Sequence, residues 1–269
     1  MRDITLGQYF PTDSVIHRLD PRIKLILMFF YLVIIFVTFN YFALLLAAAA
    51  VLTIVLLSKV PLKMYLKSLK VVIIIVVITS ILNLFYGTGD PIFQWYFIKV
   101  TWGGIHNAIF VCVRIVCLLL LSSALTFTTS PTDLTDALER LMKPLKIFHV
   151  KVHEIAMMMT IALRFVPTLL EETDKIMAAQ KARGADMESG NFLKRIKALV
   201  PVLVPLFVSA FRRAYELATA MECRCYQGGE GRTRMKQLHI HKRDIISLIV
   251  SGLIISGIIL CNIFFVSVR

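Results

Sequence analysis

The residues with the clearest chemical meaning are two short segments, each centred on one arginine. They are Ala182-Arg183-Gly184 and Cys223-Arg224-Cys225, and each ends a long, mostly apolar segment with helical character. An arginine at the end of a rigid helix presents a permanent planar cation, which can form paired hydrogen bonds with a carboxylate. This arrangement suits contact with an acidic partner better than catalysis, so the pattern predicts a docking site.

The other reactive side chains form no recognisable catalytic or metal-binding pattern. The sequence has no phosphate-binding loop of the GxxxxGK[ST] type, and residues 228–231 (GGEG) are expected to form a turn. Cys223 and Cys225, with His239 and His241, suggest zinc, but helical residues two apart point to opposite sides and could not share one ion. The sequence therefore predicts no catalytic residue, no metal ligand and no cofactor bound by this chain.

The composition identifies an integral membrane protein. Of the 269 residues, 58% are hydrophobic, whereas soluble domains average about 45–50%. A helix needs about 20 apolar residues to cross a bilayer, and the first three candidate spans are near the short limit. The five apolar stretches are 24–39, 41–58, 71–86, 104–128 and 245–268.

Lysine and arginine are distributed unevenly around these stretches. Four lie before or at the start of the first stretch, four lie between the second and third, and nineteen lie between the fourth and fifth, whereas only Lys99 lies in the predicted external loop 87–103. Because cytoplasmic loops are enriched in Lys and Arg, this pattern predicts a cytosolic amino terminus and an external carboxyl terminus. The predicted domains are a cytosolic lead-in (1–23), transmembrane helices 1–4 (24–128), a cytosolic coupling domain (129–244) and a last transmembrane helix (245–268).

The predicted cytosolic domain holds about three helices, near 131–143, 152–182 and 191–226. The third contains a run of fourteen uncharged residues, 198–211, and the second has a similar run at 155–166. Such apolar surfaces must be covered by each other, by the membrane interface or by a partner's membrane helices. The residues expected at a partner contact are Met158, Leu163, Leu203, Val204 and Phe207.

These motifs resemble the transmembrane T component of energy-coupling factor transporters. Residues 13–25 (DSVIHRLDPRIKL) resemble the opening signature of that family, and residues 137–145 (ALERLMKPL) resemble its first cytosolic helix. Ala182-Arg183-Gly184 matches its first arginine motif. Cys223-Arg224-Cys225 is similar to the second motif but departs from it at both flanking positions. The tail at 226–234 is typical of the shared, group II type, which serves several substrate-binding subunits.

The resemblance implies an all-α integral membrane protein with about five transmembrane helices and about three coupling helices, two of them long and crossing. It implies that the arginine motifs bind two ABC-type ATPase subunits, identical or different, which hold ATP and Mg²⁺. The apolar helix faces would contact one membrane-embedded substrate-binding (S) subunit. The implied function is a non-catalytic coupling subunit in the plasma membrane, within an ATP-driven importer of vitamins or other micronutrients. Membrane lipid is an expected partner and nucleic acid is not.

The alternative function is a self-contained permease or channel. Such a protein would need polar stripes along its own spans, and Asn83, Asn107, Arg114 and Asn262 supply nearly all the polarity there. A membrane enzyme is a third class, for which the sequence contains no recognisable site.

Overall fold

The structure, a computed structural model, describes residues 9–85, 91–95, 98–185, 192–228 and 239–264. It is helical except for one short antiparallel hairpin, which confirms the predicted all-α fold class. The elements are α1 (Pro21–Val37), α2 (Tyr41–Leu57), α3 (Leu62–Phe85), β1 (Pro91–Trp95), β2 (Ile98–Thr101), α4 (Trp102–Thr128), α5 (Pro131–Leu141), a 3-10 helix (Lys143–Phe148), α6 (Val152–Ala182), α7 (Phe192–Glu222) and α8 (Lys242–Phe264).

Local capping groups set the first helix boundaries. The Asp20 carboxylate accepts a hydrogen bond from the backbone N–H of Arg22 at 2.9 Å, and Pro21 occupies the first helical position. The Asn40 side chain caps α2 in the same way. The β1–β2 hairpin lies where the sequence predicts only a loop, because two strands of five and four residues give a weak pattern.

The described residues form two compact units. The first comprises residues 9–85, 91–95, 98–137 and 239–264 and includes helices α1 to α4 and α8. The second comprises residues 138–185 and 192–228 and includes the end of α5, the 3-10 helix, α6 and α7.

Small side chains form the core of the first unit. Ala43, Ala47 and Ala50 lie on one face of α2 and are buried in a cluster that also contains Leu121 and Phe127 of α4. Gly104 marks a close approach of α3 and α4, since a Cβ atom there would lie 2.4 Å from the carbonyl oxygen of Leu84. Small residues let neighbouring membrane helices approach closely, so these positions determine the packing of the unit.

Contacts near the helix ends fix the relative directions of these helices. The backbone N–H of Asp20 donates to Asp244 at 2.8 Å, and the N–H of Phe39 donates to Asn262 at 3.1 Å, so α1 and α8 run in the same direction. Lys24 donates to the carbonyl oxygen of Thr128 at 2.9 Å, which places the end of α4 beside the start of α1. Helix α4 is therefore antiparallel to α1 and α8.

The arginine within the fourth apolar stretch is held inside the unit. The guanidinium of Arg114 donates to the carbonyl oxygen of Thr38 and lies 4.7 Å from the centroid of the Phe110 ring. Arg114 thereby satisfies a carbonyl at the end of α1, where the helix leaves such groups unpaired. The geometry supports a packing role for this cation.

Four described helices are long and apolar enough to cross a membrane: Leu62–Leu84, Trp102–Thr128, Val152–Ala182 and Lys242–Phe264. This set differs from the five predicted spans, because it includes α6 and does not include α1 or α2. Helices α1 and α2 have 17 residues each, at the short limit for a span. Helix α6 qualifies because its amino-terminal half is apolar, although its carboxyl-terminal half contains Glu171, Glu172, Asp174, Lys175 and Lys181.

Candidate docking site

The second unit is built on two long helices, α6 and α7, of 31 residues each. The Gln180 side chain donates to the carbonyl oxygen of Pro201 at 3.3 Å. Eight residues earlier on α6, Glu172 accepts hydrogen bonds from the Ser209 hydroxyl and from the Arg213 guanidinium, the latter at 3.1 Å. The contacts advance in opposite directions along the two helices, so α6 and α7 pack antiparallel.

Glu172 provides the polar link between these helices. Ser209 and Arg213 are four residues apart on α7 and therefore share one helix face. The hydrogen bond from Ser209, together with the charge of Arg213, lowers the pKa of the Glu172 carboxyl group below its usual value. The carboxylate is therefore ionised at neutral pH. In the sequence, Arg213 is recognisable only as one of the charged residues that flank the apolar run 198–211. No sequence pattern identifies Glu172 as its partner.

Helix α6 ends in a tight hydrogen-bonded turn around Arg183. The N–H of Gly184 donates to Lys181 at 3.0 Å, and the N–H of Ala185 donates to Gln180 at 3.0 Å. Gly184 has a φ of +83°, the left-handed conformation that glycine adopts at little cost. This pair of hydrogen bonds defines the Schellman motif. The predicted end of the helix near Ala182 and the predicted stop at Gly184 are confirmed.

Helix α7 ends in the same motif without a glycine. The N–H of Cys225 donates to Glu222 at 2.8 Å, and the N–H of Tyr226 donates to Met221 at 3.1 Å, with Cys225 at a φ of +56°. The helix thus ends at Glu222, before the predicted position near Tyr226. Cys223 and Cys225 lie in the closing turn, so the argument that a helix would separate them was wrong. Within the described residues, no group of three or more His, Cys, Asp or Glu side chains could hold a metal ion.

Arg183 and Arg224 consequently occupy equivalent positions. Each immediately precedes the left-handed residue of its turn, and both side chains are exposed. Arg183 lies eleven residues beyond Glu172, and Arg224 lies eleven residues beyond Arg213. At about 1.5 Å per helical residue, each arginine extends about 16 Å from the central ion pair, in opposite directions. The two guanidinium groups are therefore on the order of 30 Å apart.

An exposed apolar stripe runs along α7. Leu203, Val204 and Phe207 are predicted contact residues and are 57%, 57% and 65% exposed. Their spacing of three and four residues places them on one helix face. The stripe also contains Ile196, Leu199, Val200, Val208, Phe211 and Tyr215, all of which are exposed.

The two predicted contact residues on α6 differ from each other in exposure. Met158 is 59% exposed, whereas Leu163 is only half-buried. The structure therefore brings Leu203, Val204 and Phe207 together on α7, and it places Met158 and Leu163 on the apolar half of α6.

The segment before α6 adds an apolar surface that the sequence patterns did not identify. Ile147 and Phe148, in the 3-10 helix, are 80% and 78% exposed. The Glu139 carboxylate of α5 contacts Nδ1 of His153 on α6 at 3.1 Å, which links the helices on either side of this segment. Its signal was weak because three apolar side chains, Leu145, Ile147 and Phe148, in a six-residue element show no helical period.

The chain is similar to known proteins over most of its length. A family model described as CbiQ, Cobalt transport protein, matches residues 12–235. The chain is 51% identical to the energy-coupling factor transporter transmembrane protein EcfT of Ruminiclostridium cellulolyticum, over 91% of this chain and 92% of the relative. It is 50% identical to the protein of that name from Clostridium kluyveri, over 92% of both chains. For the Bacillus subtilis protein of that name the identity is 47%, over 93% and 96%.

The chain belongs to the family of energy-coupling factor transporter transmembrane proteins. It is a multi-pass membrane protein and the transmembrane component of such a transporter, as the sequence patterns predict. Its family name implies membership of a transporter complex with other components.

Proposed function

We propose that this chain is the non-catalytic coupling subunit of an ATP-driven importer. Two ABC-type ATPase subunits, either identical or different, bind ATP and Mg²⁺ and perform hydrolysis, while this chain binds no cofactor. The observation that supports this function best is the matched pair of exposed arginines, Arg183 and Arg224, at opposite ends of one antiparallel helix pair. Two equivalent ends on one rigid unit suit two related partner subunits.

Each arginine would enter an acidic groove on one ATPase, beside the flanking residues Ala182, Gly184, Cys223 and Cys225. The closing turn holds the backbone at each arginine, so the guanidinium is presented at a fixed place. A planar guanidinium can pair bidentately with a carboxylate, which a lysine ammonium cannot reproduce. Movement of the ATPases on binding ATP would then move both ends of the α6–α7 pair.

The apolar stripe of α7 would contact the membrane-embedded S subunit, together with Met158 and Leu163 of α6. Leu203, Val204 and Phe207 expose large side chains that water solvates poorly. Partner helices with an apolar surface would cover them. A rigid unit with cations at its ends and an apolar side can transmit motion from the ATPases to the S subunit.

The proposed orientation places the amino terminus and the 129–244 domain in the cytosol and the carboxyl terminus outside the plasma membrane. Helices α1, α2, α3, α4 and α8 would be the five spans, and residues 1–23 the lead-in. The parallel directions of α1 and α8 and the antiparallel direction of α4 agree with this alternation. Helix α6 would lie outside the bilayer, because its carboxyl-terminal half has charged residues along its length.

The transported class would be vitamins or other micronutrients, and the tail of the second arginine motif favours the shared, group II type. A self-contained permease or channel is the alternative. The packing of Arg114 against Thr38 and Phe110 disfavours it, because the one arginine within the fourth stretch is used inside the bundle.

Reconstitution tests whether this chain transports the solute by itself or only as part of the complete complex. The chain would be purified from its native membrane, its co-purifying subunits identified, and proteoliposomes prepared with the chain alone and with the complete complex. We expect uptake only with the complete complex and ATP. Uptake by the chain alone would establish the permease and overturn the proposal.

A further inference from the structure

The first unit contains a cavity that the proposed coupling function does not use. It has a volume of about 460 Å³ and lies between the lead-in, α1, α2, α4 and α8. Its walls are mainly aliphatic, with Met28, Ile54, Leu121, Val250 and Ile254 among the lining residues. An apolar cavity within membrane-spanning helices suits a hydrocarbon group.

Two cations line one end of the cavity, at the start of α1 and α8. Lys24 and Arg243 belong to the lining, and no carboxylate does. The hydrogen bonds between Asp20 and Asp244 and between Lys24 and Thr128 place these helix termini side by side. The cavity therefore has a polar end with two positive charges and an apolar interior.

The cation at the start of α1 is unusual because it is buried. Lys24 is 8% exposed and donates hydrogen bonds to the carbonyl oxygens of His17, at 3.3 Å, and Thr128. An ammonium group has three donors, so one remains. Within the described residues Lys24 has no ion-pair partner at salt-bridge distance, and Arg243 likewise has none.

The carboxylates of Asp133, Asp20 and Asp244 are near enough to interact with the charge of Lys24, but each of them is also bound by another group. Arg22 pairs with Asp20 at 2.7 Å, and Asp244 accepts from the backbone N–H groups of Asp20 and His241, each at 2.8 Å. Asp133 accepts a hydrogen bond from Ser130. The two cations at the cavity are therefore available to an anionic group of a ligand.

The depth of the cavity matches one membrane leaflet. Along α1 the lining runs from Lys24 to Tyr31, and along α8 it runs from Arg243 to Ile254. These stretches correspond to about 10 Å and about 16 Å of helix. One leaflet contributes about half of the roughly 30 Å hydrocarbon core. A chain entering at the polar end would therefore extend inward over the depth of its own leaflet.

We propose that this cavity binds one acyl chain of an anionic phospholipid, with the phosphate against Lys24 and Arg243. The lipid comes from the leaflet on the amino-terminal side, which is the cytosolic leaflet in the proposed orientation. Bound there, it would fill the space between α1, α4 and α8 and support the packing of the bundle.

Photo-crosslinking with lipids of defined headgroup tests the proposal. The delipidated full chain would be titrated with phosphatidylglycerol that has a diazirine in its acyl chain, and separately with phosphatidylcholine of the same chains. We expect phosphatidylglycerol to label peptides containing Met28–Tyr31 and Val250–Ile254 with about tenfold preference over phosphatidylcholine. A basic side chain near a phospholipid surface corresponds to about fivefold in affinity, so Arg243→Gln should weaken labelling about fivefold, and Lys24→Gln with Arg243→Gln about thirtyfold.

Matched variants separate lipid binding from folding. Lys63→Gln removes an exposed cation of the same unit and should leave labelling unchanged. Lys24 also donates to two carbonyl groups, so Lys24→Gln removes those hydrogen bonds as well as the charge. Ser247→Phe therefore provides a second test, because it fills the cavity and retains both cations. Ser256→Phe adds the same ring to an exposed position of α8 outside the cavity and should label normally.

Three results would overturn the proposal. Equal labelling by phosphatidylcholine would show only apolar contact. Competition by free inorganic phosphate would show a simple anion site. Loss of labelling in the complex assembled with its partner subunits would show that protein occupies the cavity.

Discussion

The Glu172 carboxylate of α6 accepts a hydrogen bond of 3.1 Å from the Arg213 guanidinium of α7. This pair fixes which turn of α6 lies beside which turn of α7. Because Arg183 and Arg224 are each eleven residues farther along their helices, the pair also fixes the distance between the two docking arginines. If α6 shifted along α7 by one helical turn, Arg183 would move by about 5.4 Å relative to Arg224.

Glu172→Gln should therefore impair coupling more than folding. The pair is partly exposed, and such pairs contribute little to stability. We expect co-purification of the ATPases to remain normal while uptake per ATP hydrolysed falls. The exchange Glu172→Arg with Arg213→Glu should restore coupling, because it restores the opposite charges. Normal coupling in Glu172→Gln would show that the pair does not control the register.

The pH dependence of this pair follows from the direction of its shift. The pKa of Glu172 is lowered in the folded protein, so the stabilisation is present above the unfolded-state pKa, about 4.3, and is lost as the pH falls through the lower folded-state value. Hydrogen–deuterium exchange at the α6–α7 contact should thus be insensitive to this group between pH 5 and pH 8. A transition in that range that disappears in Glu172→Gln would contradict the assignment.

Replacing Arg183 or Arg224 should weaken ATPase binding. Removing one member of a buried charged pair costs about 2–5 kcal/mol, or roughly 30-fold to several thousand-fold in affinity. We expect each alanine variant to lose most ATP-driven uptake and the double variant to lose the ATPases in a pull-down, with membrane insertion unchanged. Arg183→Lys should rescue poorly, because lysine cannot bind bidentately.

Arg212→Ala is the control for this experiment, since Arg212 is an exposed arginine of α7 away from the closing turn. It should retain both ATPases. If the double variant recovered ATPases at the level of Arg212→Ala, the two arginines would not bind the ATPases. Their only role would be the favourable interaction of a cation with the helix dipole, worth about 0.3–1 kcal/mol.

The two closing turns predict opposite responses to substitution. Gly184→Ala places a side chain at a φ of +83°, which costs about 1–2 kcal/mol, and no neighbouring atom lies within 4 Å to add a clash. Cys225→Gly relieves a comparable strain and should stabilise the turn by about 1 kcal/mol. Thermal unfolding with amide exchange at the two helix ends would measure both changes. If both substitutions changed the stability in the same direction, the two turns would not be equivalent.

The apolar stripe of α7 predicts selective loss of the S subunit. Phe207→Glu or Val204→Glu would place an unpaired charge in that contact, at a cost of several kcal/mol. Thr219→Glu adds the same group at an exposed position of α7 beyond Tyr215, the last residue of the stripe, and provides the control. We expect Phe207→Glu to lose the S subunit and keep the ATPases. Simultaneous loss of both partners would indicate unfolding and leave the stripe without this role.

Local interactions account for what the sequence predicted well. The bounds of α6, the cap at Asp20 and the stop at Gly184 each depend on residues within a few positions of one another. The exposed face around Phe207 follows from the spacing of apolar residues along one helix.

Contacts between distant residues account for what the sequence did not reveal. Glu172 and Arg213 are 41 residues apart, and Arg114 binds a backbone carbonyl, which has no side-chain signature. Cys225 in a left-handed conformation was also unpredictable, since that conformation favours glycine. Its hydrogen bonds to the preceding turn compensate for the strain.

The parallel contact of α1 with α8 determines the order in which the bundle can assemble during synthesis. Asp20 and Asp244 are 224 residues apart, so their hydrogen bond must wait until almost the whole chain has been made. At about 5–20 residues per second, that wait is roughly 11–45 s. Throughout it, the face of α1 that packs on α8 has no contact with that helix, and lipid or another protein covers it. Ribosome stalling or truncation before α8 would leave α1 exposed to misassembly and degradation.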